Sequence, residues 1–230
     1  MSGNPILAFW HSTIGKKVVM AVTGFVLVGF VVVHMVGNLK IYFGAEKFDH
    51  YAEFLRTVGY PVLFHGQALW IFRIVLLVCV GLHATAAIQL WLRSKTARPV
   101  GYQRWEPVES TYAARTIRWG GLIVALFVIY HILHFTVGRL GYTPGAFQEG
   151  FPYRNVVRGF QVWYVSSFYM LAMVAVGLHL YHGIWSMFQT VGWNDSRFHG
   201  LWRGIALLIA LAVVVGNVSI PVAVLAGLVK

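Results

Sequence analysis

Five stretches of this chain run on with almost no formal charge, each close to the roughly 20 apolar residues that a helix needs to cross a bilayer core. They are Val18–Leu39, roughly Ala68–Leu92, Trp119–Gly138, roughly Phe160–Thr190 and Gly204–Val229. The expected fold is therefore all-α: one transmembrane domain over residues 1–230, a five-helix membrane bundle. Its spans are expected at about 17–39, 66–92, 116–139, 158–190 and 203–229. The fourth run is longer than a span needs, so it should tilt or project into water. Arg73 falls near one end of the second, where a long side chain can snorkel to the interface.

Composition agrees. Hydrophobic residues make up 58% and charged ones 11%, and mean hydropathy is +0.69. Soluble domains are about 45–50% apolar and about 25% charged. A water-soluble core, disorder, collagen and coiled coil are all excluded. Eighteen basic against seven acidic residues give a formal charge of +11. A soluble chain so basic would suggest nucleic acid. Here basic cytoplasmic loops explain the charge, and no nucleic-acid partner is expected.

The single cysteine, Cys79, lies inside an apolar run, so no internal disulfide framework and no covalent haem motif exist. Lys16 and Lys17 precede an apolar stretch too long for a signal core, so the first span is expected to stay as an anchor.

Five spans place the termini on opposite sides. With the N-terminus inside, the inner segments carry ten basic residues: Lys16, Lys17, Arg93, Lys95, Arg98, Arg104, Arg115, Arg118, Arg197 and Arg203. Glu106, Glu109 and Asp195 stand against them. The outer segments carry six basic residues (Lys40, Lys47, Arg56, Arg139, Arg154, Arg158) and the other four acids, Glu46, Asp49, Glu53 and Glu149. Ten against six predicts a cytoplasmic N-terminus. Phe48, Tyr51, Leu55 and Val58 recur at helical spacing and predict a short amphipathic helix on the outer membrane surface, ended by Pro61. Residues 139–158, with three glycines and two prolines, read as irregular.

The chemistry lies in the histidines. His34 is in span one, His83 in span two, His131 and His134 in span three, and His179 and His182 in span four. Ionisable side chains at membrane depth are expensive, and by default functional. One such histidine can be a packing residue; four of five helices carrying at least one is harder to dismiss. At 1.5 Å per residue, His34 lies about 9 Å and His131 about 12 Å from the outer end. His83 lies about 15 Å from the inner end, and His179 falls in the inner half of span four. The predicted pairs are His34 with His131 and His83 with His179.

Two histidine pairs across facing helices are what two bis-histidine b-type haems require. Haem also needs room, which Gly81, Ala84, Gly120, Gly121 and Gly177 would leave. Val-Gly-Leu-His occurs at both 80–83 and 176–179. His134 and His182, each three residues after another histidine, remain alternative ligands on the same helix face. Such a pair could instead hold a non-haem metal, but no Asp, Glu or Cys lies within a turn to complete the shell.

These features together resemble a known family: the single-chain, di-haem cytochrome b subunit (membrane anchor) of succinate dehydrogenases and fumarate reductases, the succinate:quinone oxidoreductases or complex II. The likeness covers nearly the whole chain. It rests on Gly15-Lys16-Lys17 before span one, His34 with Gly37-Asn38, His83, Arg118 through His131, and His179-Leu-Tyr-His-Gly-Ile-Trp-Ser running to Gly192. The resemblance selects His179, four residues before Gly183, over His182. It selects His131, thirteen residues after Arg118, over His134. It implies an inner haem on His83 and His179 and an outer haem on His34 and His131.

It further implies partners: a flavoprotein subunit carrying FAD, an iron–sulfur subunit docked on the basic inner face, membrane lipid and quinone, most naturally menaquinone. The whole complex could form a higher oligomer, and the location would be a bacterial inner membrane. Quinone candidates are Trp10, His11, Ser12, Gln89 and Arg93 near the inner face, with Lys40, His50, Glu53 and His65 near the outer. Some family members carry a glutamate two residues before the fourth ligand, where this chain has Gly177. Two other readings remain: a cytochrome b anchoring a hydrogenase or formate dehydrogenase, and a histidine-lined transporter. No Asp or Glu lies well inside a span, which counts against proton-coupled transport.

Overall fold

A computed structural model of the chain describes residues 4–97, 100, 112–193 and 195–230; Arg98, Arg104, Glu106 and Glu109 lie outside them. Among the described residues the regular structure is entirely helical, with no strand. Five segments are long and apolar enough to cross a membrane: Thr13–Phe43, Gln67–Thr96, Tyr112–Thr136, Trp163–Thr190 and Ser196–Leu225. By length and composition the chain is a multi-pass membrane protein.

Helix α1 (Pro5–His11) turns sharply into α2 (Thr13–Asn38). The Ser12 hydroxyl caps α2 by accepting from Gly15 N at 2.8 Å and donates to Phe9 O, also at 2.8 Å. Gly15 is required, because a Cβ there would lie 1.9 Å from the Phe9 carbonyl oxygen. Lys16 is buried in this elbow, its ammonium hydrogen-bonded to the Trp10 carbonyl and set over the Trp10 ring.

A 3₁₀ turn, Leu39–Phe43, extends α2, and α3 (Ala45–Thr57) follows. The predicted amphipathic helix is therefore present, but it ends at Thr57 before Val58 and Gly59, not at Pro61. Its face is not simply turned to lipid. Phe48 is buried with Ile41 and Val157, and Asp49 accepts from the Tyr153 backbone N–H at 2.9 Å. That N–H belongs to the first turn of α6 (Pro152–Gln161), where donors lack intrahelical partners and a carboxylate is favoured. Helix α6 corrects two expectations. Residues 152–158 are helical rather than irregular, and the overlong fourth run is two helices broken at Val162, with α7 (Trp163–Thr190) as the span.

Helices α4 (Gln67–Thr96), α5 (Tyr112–His131) and α8 (His199–Leu225) complete the bundle. Helix α7 sits at the centre, against α8, α5 and α2. Helix α8 carries small residues inward: Ala206 and Ala210 are buried beside Met35, Leu180 and Ile184. Gly177 of α7 lets the helices close up, since a Cβ there would stand 2.5 Å from Val214 Cγ2. Gly177 thus serves packing against α8 and does not make room beside His179, as the sequence suggested. Helices α4 and α5 are edges: only 11% and 6% of their apolar windows are buried, against 39% for α7. Arg73 stacks on Trp70, in keeping with an interfacial cation on an aromatic anchor.

Candidate metal centres

Four of the six span histidines come together in two pairs. The ring centroids of His34 (α2) and His131 (α5) are 5.8 Å apart at an interplanar angle of 89°. Those of His83 (α4) and His179 (α7) are 6.3 Å apart at 64°. These are the pairs that depth in the sequence predicted. Two imidazoles bound to opposite sides of one metal, with bonds of about 2 Å and ring nitrogens about 1 Å from ring centre, have centroids about 6 Å apart.

An edge-to-face ring contact spans similar distances, so spacing alone does not decide. The helices do more. Each pair bridges two helices that are not packing neighbours: α2 packs on α4, α7 and α8, and α5 packs on α7, while α2–α5 and α4–α7 make at most marginal contact. Both imidazole pairs therefore face across gaps between diagonal helices.

The gaps are lined by absent side chains. Gly24 lies opposite His83, with a notional Cβ 3.5 Å from His83 Cε1, and Gly121 lies opposite His179 at 3.7 Å. A Cβ at Gly120, which lies about 20° from His131 around α5, would meet nothing within 4 Å. Gly29 and Gly81 are exposed, and Gly81 lies about 160° from His83 around α4, so Gly81 does not make room beside His83 as the sequence suggested. His179 Nδ1 is buried without a hydrogen-bond partner. Among the described residues no group of three or more His, Cys, Asp or Glu side chains is placed to hold a metal ion. Two-imidazole ligation of a flat, mostly apolar group fits these residues better than an ion needing three or four protein ligands.

Levels along the helices fix the separation. Thr23 on α2 touches His83, and His34 lies eleven residues further along α2. Tyr169 on α7 touches His131, and His179 lies ten residues further along α7. At 1.5 Å per residue these steps are about 16 Å and about 15 Å. The two helices agree that the pairs sit about half a bilayer core apart.

His134 and His182 are not part of this geometry. His134 is fully buried, stacked on Phe135 with centroids 4.0 Å apart and hydrogen-bonded through Nδ1 to Tyr169 Oη at 2.9 Å. A Cβ at Gly159 would stand 2.6 Å from its Nε2, so the backbone closes over the ring. The cause is local. Residues Ile132–Thr136 form a π turn, which carries His134 away from the face that α-helical spacing assigned to it. His182 is half-buried one turn beyond His179 and makes no ring contact with His83.

The inner quinone candidates partly converge. Arg93 donates to the His11 carbonyl at 2.7 Å and to Thr13 Oγ1 at 3.3 Å, which ties α4 to the α1–α2 elbow containing Trp10 and Ser12. Gln89, one turn before Arg93, is half-buried. The outer candidates divide. Lys40 and His50 line a cleft of 320 Å³ with Glu46, Lys47, Tyr51 and Phe54, whereas Glu53 pairs with His65 at 2.9 Å. The hydrogen bond with His65 holds the Glu53 carboxyl below its ordinary range, helped by Arg56.

Thr23 and Tyr169, which both touch the paired imidazoles, were missed in the sequence. Comparison with family models, curated proteins and solved structures found no match for the chain.

Proposed function

We propose that this chain is the cytochrome b membrane-anchor subunit of a succinate:quinone oxidoreductase. In this reading it passes electrons between an iron–sulfur subunit and membrane quinone, in a bacterial inner membrane with its N-terminus cytoplasmic. The observation that carries the reading is the placement of His34–His131 and His83–His179 across gaps between non-neighbouring helices, at the spacing of axial imidazoles.

His83 and His179 would hold one b-type haem and His34 and His131 the other. Each haem, when bound, supplies a one-electron couple. The chain's own contribution is placement. Gly24, Gly120 and Gly121 keep the gaps open, and α7 and α8 form a packed wall. Arg93 and the elbow residues Trp10, His11 and Ser12 supply polar groups at the inner end, where an apolar slot with a few donors suits a quinone head. FAD and iron–sulfur clusters belong to partner subunits docked on the basic inner segments.

The test is haem quantitation on the purified complex with identification of copurifying subunits. Two protohaems per chain, a flavoprotein and an iron–sulfur protein are expected. Absence of haem sinks the reading. Two haems with hydrogenase or formate dehydrogenase subunits would keep the electron wire and reject the complex II assignment.

A further inference from the structure

Each histidine pair has one imidazole whose Nδ1 touches a buried hydroxyl. For His83 it is Thr23 Oγ1 at 3.2 Å, and for His131 it is Tyr169 Oη at 3.3 Å. Thr23 and Tyr169 are each 5% exposed, so water does not compete for these contacts. We propose that Thr23 and Tyr169 are positioning residues, one for each pair, whose oxygens accept a hydrogen bond from Nδ1–H and leave Nε2 as the metal-binding nitrogen. The proposal rests on the two-haem reading above.

Proton placement follows from the other contacts. Thr23 has one hydroxyl proton, and its Val19 carbonyl contact at 2.7 Å is the closest use for it. This is the usual back-bond of a threonine inside a helix. The oxygen that remains can only accept, so the hydrogen bond to Thr23 takes its proton from His83 Nδ1, with the Met20 carbonyl as a second acceptor beside the ring. Tyr169 likewise has one proton between two imidazoles, with His134 Nδ1 the nearer at 2.9 Å. Donation to His134 makes the phenol oxygen an acceptor toward His131. The buried His134 thereby gains a role that ligation does not give it: it orients the Tyr169 hydroxyl.

A ligating imidazole almost always donates through its other nitrogen. That contact fixes tautomer and ring orientation and raises ligand basicity. A more basic imidazole favours oxidised iron, so removing either acceptor should raise the potential of its own haem. Loss of such a partner typically costs 10–100-fold in affinity or activity. A change of up to about tenfold in the oxidation equilibrium, or about 59 mV for one electron, is expected here.

Thr23→Val and Tyr169→Phe each remove one oxygen. The readout is a redox titration of the purified complex, followed by haem absorbance, with His83→Ala and His131→Ala assigning each spectral component. Thr23→Val should move only the His83–His179 haem, and Tyr169→Phe only the His34–His131 haem. Selective loss of the matching haem supports the same conclusion. Two haems whose potentials ignore both substitutions, or both haems shifting with either one, overturn the positioning role. Thr23→Val is near in volume and decides the matter if Tyr169→Phe does not assemble. Absence of haem from the unsubstituted complex is a different result and removes the underlying reading.

Discussion

His131 and His134 differ by one turn in sequence and by role in the structure, and replacing each with alanine should separate the roles. His134 has no exposed surface, stacks on Phe135 with the Tyr142 ring tilted against it, and holds the Tyr169 hydroxyl. Truncating a large buried side chain costs about 2–5 kcal/mol, because the cavity does not fully collapse. Stranding a buried hydroxyl adds about 1–3 kcal/mol. His134→Ala should therefore lose about 3–8 kcal/mol. At about 2–4 °C per kcal/mol for a chain of this size, Tm falls by roughly 6 °C or more. Both haems stay, since Nε2 of His134 faces the Gly159 backbone and not a gap. His131→Ala removes a half-buried ring that faces His34 and touches Phe127 and Phe135, and the haem content should fall from two to one. Haem per chain by absorbance and thermal unfolding in detergent separate the two. If His134→Ala loses one haem while His131→Ala keeps both, the ligand assignment is wrong and the π turn does not divert His134.

The same contrast applies on α7. His179→Ala should lose the inner haem and His182→Ala should keep it, read by haem quantitation and spectra. Gly177→Leu should destabilise the bundle by about 1–3 kcal/mol or more, through overpacking against Val214, and a thermal melt no lower than wild type would refute that contact. The depressed Glu53 carboxyl contributes stability that is complete above the ordinary carboxylate pKa of about 4.3 and fades as pH falls through its lower folded value. Glu53→Gln should flatten the acid limb of stability between about pH 5 and pH 3, and high salt should shrink the difference, because both partners are exposed. Amide exchange across residues 45–66 as a function of pH reads this link directly.

Much of the fold is legible because membrane spans are written in long apolar runs bounded by charge. The two pairs were legible for a related reason. Lys40, Arg93 and Arg139 mark the span ends, so counting from them ranks the histidines by depth. Three features escaped this logic. The break at Val162 lies where hydrophobicity is continuous, so no charge or proline announces it. The diversion of His134 depends on a π turn, and periodicity of 3.6 places it beside His131 instead. Gly177 and Gly121 look alike in sequence, yet one abuts Val214 and the other faces His179. Which way a glycine faces is decided by packing partners. Thr23 carried a usable signal, since eleven residues at 3.6 per turn bring it within about 20° of the face of His34. Tyr169 carried none, standing in the aromatic run Phe168-Tyr169 ten residues from His179.

The gaps themselves argue for an occupant. Leucine- and valine-rich helices in lipid gain nothing from water exclusion, so they associate where small residues allow close van der Waals contact. The chain does this between α7 and α8, with Gly177, Ala206 and Ala210, and between α8 and α2, with Gly216 against Met35. On the other side it holds Gly24, Gly120 and Gly121 without letting the opposing helices meet. It also leaves His179 Nδ1 buried and unpaired there, a loss of about 1–3 kcal/mol for a polar atom out of water. The same small residues that close one interface keep the other open, and the open one carries all four paired imidazoles. Stability of the bare chain would be served by filling that space. A flat apolar group held by an imidazole on either side would fill it.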